Sequence, residues 1–257
     1  MATPYPLRAT AQWWLQVRRT LPTLIASSVL LPLGYLASLG IGIGHYVSDA
    51  PSWLHGATYA AWLAPGLLAS TAAQAGAGDS LWPVLGAVKW VGQYKAQTAS
   101  PLTATDALYG HLGYVASRIG FAATLQIAVM AGFGAWRQPT APLAVLAAVL
   151  CGAAVAAPTM AFSITRETDN AFSVVNRFVI TPMFLFAGTF FPTAQMPLPF
   201  QVAAWLTPIW HGVTLARGLM LPGTPVVLML VNTAYLVALL AVGVAVAGRL
   251  YRDRLAR

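Results

Sequence analysis

The sequence predicts an all-α integral membrane protein with six transmembrane helices, an interfacial helix before the first span and a re-entrant helix pair before the last. Three observations lead to this prediction. Hydrophobic residues make up 58% of the chain and charged residues only 8%, whereas soluble domains carry about 25% charged residues. The few charges separate long apolar stretches, and Lys and Arg concentrate on alternate connections between these stretches.

The formal net charge of +8 does not indicate a nucleic-acid partner here. The basic residues lie between apolar runs, so they are expected to orient the chain in the membrane and to contact anionic lipid. The single cysteine, Cys151, lies inside an apolar run and has no partner for an intrachain disulfide. It is predicted to be a small buried or lipid-facing residue, and no metal site is predicted.

Residues 1–20 are predicted to form an amphipathic helix on the cytoplasmic surface of the membrane. Thr10 can cap it, and Trp13, Trp14 and Val17 form an apolar stripe beside polar residues. Tryptophan at headgroup level suits a helix that lies in the interface. The alternative is a simple extension of the first span.

Residues 21–257 are predicted to form the transmembrane domain. A helix needs about 20 mostly apolar residues to cross a bilayer. Isolated spans must be helical, because each has to satisfy its own backbone hydrogen bonds in lipid. The predicted spans cover residues 21–47, 56–77, 116–135, 141–164, 171–191 and 226–248.

The distribution of Lys and Arg predicts that both termini are cytoplasmic. With the N-terminus inside, twelve of the 14 basic residues fall on the cytoplasmic side, and only Arg137 and Arg217 fall outside. Cytoplasmic loops of membrane proteins carry such an excess of Lys and Arg.

The segment before the last span is apolar but rich in proline, with Pro197, Pro199, Pro208 and Pro222. Proline breaks a helix by removing a hydrogen-bond donor and by clashing with the preceding turn. A seventh full span would also carry the basic C-terminus outside. The sequence therefore predicts two short helices around Pro208, over about 199–220, that enter from the outer face and return.

The longest cytoplasmic connection runs over about 78–116. Pro101, with Ser, Thr and Asp around it, predicts the start of a short helix. This is the place where a partner can act on the membrane domain, or else it is a loop that only joins two spans.

No energy source is visible in the sequence. A P-loop needs Gly-Lys followed by Ser or Thr, but the chain's two lysines, Lys89 and Lys95, follow Val88 and Tyr94. Metalloprotease and serine-hydrolase motifs are also missing. We therefore predict a chain that is not an enzyme and is driven by a partner. An ion-coupled carrier or a channel is the alternative, and a membrane-embedded transferase is a third possibility.

Ion-coupled carriers usually place ionisable residues in the middle of the membrane. Here Asp79 and Arg118 lie near predicted cytoplasmic ends of the second and third spans. One hypothesis is that they pair across these spans. The alternative is that each side chain extends separately to the headgroups.

Two stretches resemble one known family. The first is 59–67 (YAAWLAPGL), continuing through Lys89-Trp90 and 98–103 (TASPLT), and the second is 186–192 (FAGTFFP), continuing through 206–213 (LTPIWHGV). They resemble the ABC type-2 exporter permeases, in particular the branch of nodulation lipooligosaccharide and daunorubicin-resistance permeases. The resemblance covers nearly the whole chain.

The resemblance implies a permease that pairs with a second permease, as a homodimer or heterodimer, and with two copies of an ATP-binding subunit. ATP and magnesium would be bound by that subunit, and this chain would bind no cofactor. A coupling helix over about 99–108 would dock on the ATPase. The residues implied in ATPase coupling are Thr98, Ala99, Ser100, Pro101, Leu102, Thr103, Thr105 and Asp106.

The expected substrate is amphipathic, such as a lipid, a lipid-linked saccharide or a hydrophobic drug, and the expected location is a bacterial inner membrane. Gly40 and Gly44 form a GxxxG pair, which is typical of close helix packing, and are predicted to lie at the interface with the second permease. The aromatic residues near the outer face are candidates for the exit path or for anchors in the interface. These candidates, with a neighbouring histidine, are Phe190, Phe191, Trp205, Trp210 and His211.

Overall fold

A computed structural model describes residues 5–17, 21–44, 52–54 and 56–256. Over these residues all regular secondary structure is helical and no strand is present, which confirms the all-α prediction. The end of the first predicted span, residues 45–47, lies outside the described residues. So do residues 1–4 and 18–20 of the predicted interfacial unit.

Eleven α-helices follow one another along the described chain, with short 3₁₀ turns between some of them. Two are extended by wider π-helical turns, α2 over Leu36–Ile43 and α7 over Asn176–Ile180. The helices are α1 (Tyr5–Val17), α2 (Leu21–Tyr35), α3 (Tyr59–Lys89), α4 (Gln93–Thr98), α5 (Ala104–Gly132), α6 (Ala144–Ile164), α7 (Asn170–Val175), α8 (Thr181–Phe186), α9 (Leu198–Trp205), α10 (Pro208–Met220) and α11 (Val226–Leu255).

Four of the described helical segments are long and apolar enough to cross a membrane: Leu24–Gly42, Ala104–Gly132, Ala141–Ile164 and Val226–Leu255. They coincide with four of the six predicted spans. The predicted second span lies in α3, which has 31 residues but is rich in Ala and Gly. The predicted fifth span lies in the shorter apolar helix Asn170–Phe186. That these two segments cross the membrane stays a prediction.

The composition of α3 follows from its central position. Most of its residues are buried by the other helices, so its surface is shaped to fit protein rather than lipid. Small side chains allow helices to approach closely. At Gly76 the approach is so close that a Cβ atom would overlap the carbonyl oxygen of Gly152 on α6.

The helices do not end where the apolar stretches end. The prediction stopped the second span at residue 77, yet α3 continues to Lys89, and α5 begins at Ala104 rather than near 116. Hydropathy marks the part of a helix that fits in lipid, whereas backbone hydrogen bonds continue until a cap or a breaker ends them. Both helices therefore extend past the predicted apolar core at the end where they are connected.

The short helix in this connection lies earlier than predicted. The expected coupling helix covered 99–108, but the helical turn is α4 at Gln93–Thr98, and residues 104–108 belong to α5. Residues 99–103 are not helical. Thr103 caps the following helix, α5.

Two further predictions are corrected by the packing. Gly40 is buried against Ala60 of α3, and a Cβ atom at Gly40 would lie 2.8 Å from the Ala60 Cβ. The GxxxG glycine therefore serves contacts within this chain rather than a surface for a second permease. Trp13 was predicted to lie at headgroup level but is only 7% exposed, because its ring packs against His111 and Tyr114 of α5.

The contact between α1 and α5 depends on a glycine. The Thr10 Oγ1 donates to the Gly110 carbonyl at 3.1 Å, and the Trp13 ring stacks on His111 at 3.9 Å. A Cβ atom at Gly110 would overlap Ala9.

Replacing Gly110 with leucine should therefore displace α1 and destabilise the protein by about 1–3 kcal/mol, the usual range for overpacking. The measurement is the midpoint of unfolding of the purified protein in an SDS titration. Gly132→Leu on the same helix is the control, because no atom lies within 4 Å of a Cβ there. Equal midpoints for the two variants would contradict this account of α1.

Candidate functional site

At one end of the bundle α3 and α5 are joined by residues 90–103, which we call the connection. Gly92 has φ +67°, a conformation that glycine adopts without steric penalty, and it turns the chain into α4. The Ser100 Oγ then donates to the Gln97 carbonyl at 2.6 Å and closes the turn after α4. The connection is thus a compact hairpin-like segment rather than a loose loop.

The start of α5 is a capping box. The Asp106 amide donates to the Thr103 Oγ1 at 3.2 Å, and the Thr103 amide donates to the Asp106 carboxylate at 2.9 Å. Such reciprocal bonds satisfy two otherwise free amides at a helix start. Among the residues implied in coupling, Ala99, Ser100, Pro101 and Thr103 are exposed, whereas Thr98, Leu102, Thr105 and Asp106 are partly buried.

The connection begins with two exposed apolar residues, of which Trp90 had been noted from the sequence only as part of a family pattern and Val91 had not been noted. Trp90 is 65% exposed and Val91 is 71% exposed. Contiguous apolar surface of this kind marks contact with a protein or with the membrane. The sequence feature that could have identified them is their position directly after Lys89, at the polar end of a helix.

Tyr94 anchors the connection to the helices above it. Its hydroxyl lies 2.5 Å from the His111 Nδ1 on α5 and 3.3 Å from the Tyr251 hydroxyl on α11. Burial raises the pKa of Tyr94 well above its usual range, so the side chain stays neutral and acts only through hydrogen bonds. Gln97 adds a bond to Gln12 of α1 at 2.7 Å. These contacts connect α4 to α1, α5 and α11.

A second group of contacts ties the same end of the bundle together. Glu167, in the turn between α6 and α7, forms ion pairs with Lys89 and with Arg254 of α11. Hydrogen bonds from Lys89 and Arg254 hold the pKa of the Glu167 carboxyl below its usual value. The end of α3, the turn after α6 and the end of α11 thus lie on the side of the connection.

Asp79 of α3 and Arg118 of α5 are brought together. Their side chains form a hydrogen-bonded ion pair, in which the Asp79 side chain is 17% exposed and the Arg118 side chain 25%. The pair lies inside helices that are apolar on both sides of it, and it joins the two helices that leave the connection.

A cavity of about 370 Å³ lies beside this pair, between α2, α3 and α5. Its volume is within the range of about 300–1,000 Å³ that is typical of small-molecule sites. Arg118 and the hydrogen-bonded side chains of Thr71 and Gln126, 3.1 Å apart, form polar points in its wall. The remaining lining is mostly apolar, including Leu24, Leu31 and Leu68. Such a lining suits an amphipathic molecule.

The aromatic residues predicted near the outer face separate into two groups. Trp205, Trp210 and His211 lie together: the two indoles are 6.4 Å apart, and the Trp210 and His211 rings are 5.0 Å apart. Phe190 packs elsewhere, against Phe184 at 5.1 Å, and Phe191 is 38% exposed. The structure thus does not assemble these five residues into one path.

His211 holds α10 to α11 through polar contacts. Its Nδ1 lies 2.6 Å from the Asn232 Oδ1, and its Nε2 lies 3.0 Å from the Trp205 carbonyl oxygen. The ring also stacks on Tyr235 at 3.7 Å. With both nitrogens engaged and the residue buried, His211 is a structural link within this part of the chain.

Comparison with known proteins gives a consistent result. A family model described as ABC-2 type transporter matches residues 10–221. The chain is 29% identical over 228 residues to Nodulation protein J of Rhizobium leguminosarum bv. viciae, covering 88% of this chain and 85% of the relative. It is 30% identical over 198 residues to Nodulation protein J of R. leguminosarum bv. trifolii, covering 76% and 73%. The Bradyrhizobium diazoefficiens protein of the same name is 29% identical over 217 residues, covering 82% and 80%.

Proposed function

The chain belongs to the ABC-2 type transporter family, and from this premise we propose that it is the permease subunit of an ATP-driven exporter in a bacterial inner membrane. The match over residues 10–221 is the observation that carries the proposal. The proposed substrate is an amphipathic molecule, such as a lipid, a lipid-linked saccharide or a hydrophobic drug. The free energy for export would come from ATP hydrolysis by two copies of a separate ATP-binding subunit, which bind the ATP and magnesium.

The connection is the proposed docking surface for that subunit. It carries the exposed residues 99–101 after α4 and the exposed side chains of Trp90 and Val91 before α4. A partner that binds here pushes on α4, and the Tyr94 contacts transmit the movement to α5 and α11. In this proposal the connection and both termini face the cytoplasm.

The proposed cycle alternates between two arrangements of a pair of permeases. A nucleotide shifts such an equilibrium only by its different affinity for the two states. ATP binding would bring the two partner subunits together and move both connections, and the helices attached to them would change the path between the permeases. The amphipathic cavity beside Arg118 supports a route for a substrate with an apolar body.

Substitution of the connection's tip tests this proposal. Because Pro101 is exposed, Pro101→Arg should leave the fold intact. It should lower both recovery of the ATP-binding subunit in co-purification and ATP-dependent export by at least about tenfold, equivalent to about 1.4 kcal/mol of binding free energy. Export is measured with the assembled complex in sealed vesicles.

Pro139→Arg is the matched control, because Pro139 is also exposed but lies at the opposite end, between α5 and α6. It should retain both association and export. Export that persists without nucleotide and follows an ion gradient would contradict the proposal and favour an ion-coupled carrier or a channel.

A further inference from the structure

A positively charged side chain is enclosed at the end of the molecule opposite the connection. Arg217 of α10 places its guanidinium carbon 3.8 Å from the centre of the Trp62 ring, and its Nη2 donates to the Gly188 carbonyl at 3.0 Å. Its Nε is buried and has no hydrogen-bond acceptor among the described residues. Gly66 provides the space, since a Cβ there would lie 3.2 Å from the Nη2.

No carboxylate pairs with Arg217 in the described part of the chain, where the ion pairs involve Asp79 and Glu167. It contacts the face of the Trp62 ring and the Gly188 carbonyl, which stabilise the charge but do not neutralise it. A charged group that has left water without a counter-charge is costly. An anion from outside the chain would therefore bind favourably beside it.

Two adjoining cavities meet at this guanidinium. One has a volume of about 200 Å³ and the other about 80 Å³, and Trp53, Trp62 and Arg217 line both. The Trp53 and Trp62 rings stand edge to face, 4.7 Å apart. Trp210, Thr193 and Thr214 line the larger cavity. Together the cavities form one cleft, the Arg217 cleft, with indole walls, hydroxyl groups and a single cation.

We propose that the Arg217 cleft binds the oxyanion of an amphipathic ligand's headgroup, a phosphate or a carboxylate. Guanidinium groups favour these anions because their planar donors match two oxygens at once. Either cavity is smaller than the roughly 300 Å³ of a complete small-molecule site, so the cleft holds a headgroup and leaves the apolar tail outside. This proposal depends on the proposed function in one respect, namely that the ligand is a molecule that the protein exports.

The experiment measures binding to the chain in micelles of the nonionic detergent dodecyl maltoside, which contains no phosphate or carboxylate, by isothermal titration calorimetry and without any ATPase. Dihexanoylphosphatidylglycerol and glucose 1-phosphate are the anionic probes, and glucose is the uncharged control. At least one anionic probe should bind, and glucose should not. Arg217→Gln should weaken binding by at least about tenfold, and Arg217→Lys should weaken it less.

Arg137→Gln is the matched control for general surface charge. Arg137 lies at the same end and donates to the Gly56 carbonyl at 2.9 Å, but it is exposed, so its loss should change the affinity less than about twofold. Equal weakening by the Arg137 and Arg217 variants would overturn the proposal, as would failure of both anionic probes to bind. Binding of the lipid probe alone would identify a bilayer lipid as the source of the anion, and binding of the sugar phosphate would identify a soluble headgroup.

A second pair of variants separates the cleft from a purely structural role of Arg217. Ala194 is exposed and lines the larger cavity, so Ala194→Trp should block the cleft without disturbing the fold, whereas Gln195→Trp beside it should bind as the unchanged protein does. Asp49 lies outside the described residues, and Asp49→Asn tests whether it is an ion-pair partner of Arg217. Two results together would show that Arg217 is a structural ion-pair partner and that the proposal is wrong. Asp49→Asn would destabilise the protein as Arg217→Gln does without changing the affinity for the anionic probes, and Ala194→Trp would also leave that affinity unchanged. Because no step uses ATP, this result is independent of the export test.

Discussion

Replacing Gly76 with leucine is expected to prevent the chain from folding into a stable bundle. Gly76 of α3 faces Gly152 of α6, and a Cβ atom on either residue would overlap backbone or a packed side chain of its neighbours. The backbone cannot rotate away as a flexible side chain can, so the two helices would have to separate. The predicted loss is about 3 kcal/mol or more, the upper end of the range for overpacking.

The measurement for Gly76→Leu is the yield of monodisperse protein after extraction, together with the SDS concentration at the midpoint of unfolding. Gly78→Leu is the matched control, because Gly78 lies two residues away on the same helix and has no atom within 4 Å of its Cβ position. We expect near-normal yield for Gly78→Leu. Similar losses for both variants would show that the glycines matter for α3 itself and not for its contact with α6.

Removing one member of the Asp79–Arg118 pair should have the second large effect. In Asp79→Asn the guanidinium of Arg118 stays between α3 and α5 but loses its counter-charge. Breaking a buried ion pair in this way costs about 3–5 kcal/mol, and partial exposure of both side chains puts the expected loss at the lower end, about 3 kcal/mol.

The same unfolding titration measures this loss, with Asp253→Asn on the exposed end of α11 as the control. The exchange Asp79→Arg with Arg118→Asp keeps both charges and should recover part of the stability that the single variants lose. If the exchanged protein is as unstable as the single variants, the contribution of the pair does not come from the attraction between its two charges.

These two contacts lie close together on α3. The pair joins α3 and α5, and the Gly76–Gly152 contact joins α3 to α6 about one turn away along α3. Because packed helices move as rigid bodies rather than by continuous deformation, movement of the connection would carry α3, α5 and α6 together. If the chain exports as proposed, variants of the Asp79–Arg118 pair that still fold should therefore lower export more than a variant at the exposed Val227 of α11 does.

Several features followed from the sequence because they are local. Apolar stretches of bilayer length predicted helices, since a chain in lipid must satisfy its backbone hydrogen bonds within each segment. Pro208 predicted the break between two short helices, and these are α9 and α10. Thr103 and Asp106 were recognised as belonging to a helix start, although the start was placed near Pro101 and the short helix was placed too late.

Other features required the three-dimensional arrangement. The stripe of α1 was assigned to lipid, but Trp13 stacks on His111, almost a hundred residues away in the chain. Residues 59–67 had appeared only as part of a family pattern and Arg217 only as one of two basic residues outside, and the structure places Arg217 over Trp62. The sequence alone determined which segments are helical and apolar, because hydropathy and capping act over a few residues. Only the tertiary structure decided which faces meet, because the contacts of Gly76, Arg118 and Arg217 depend on how distant helices pack.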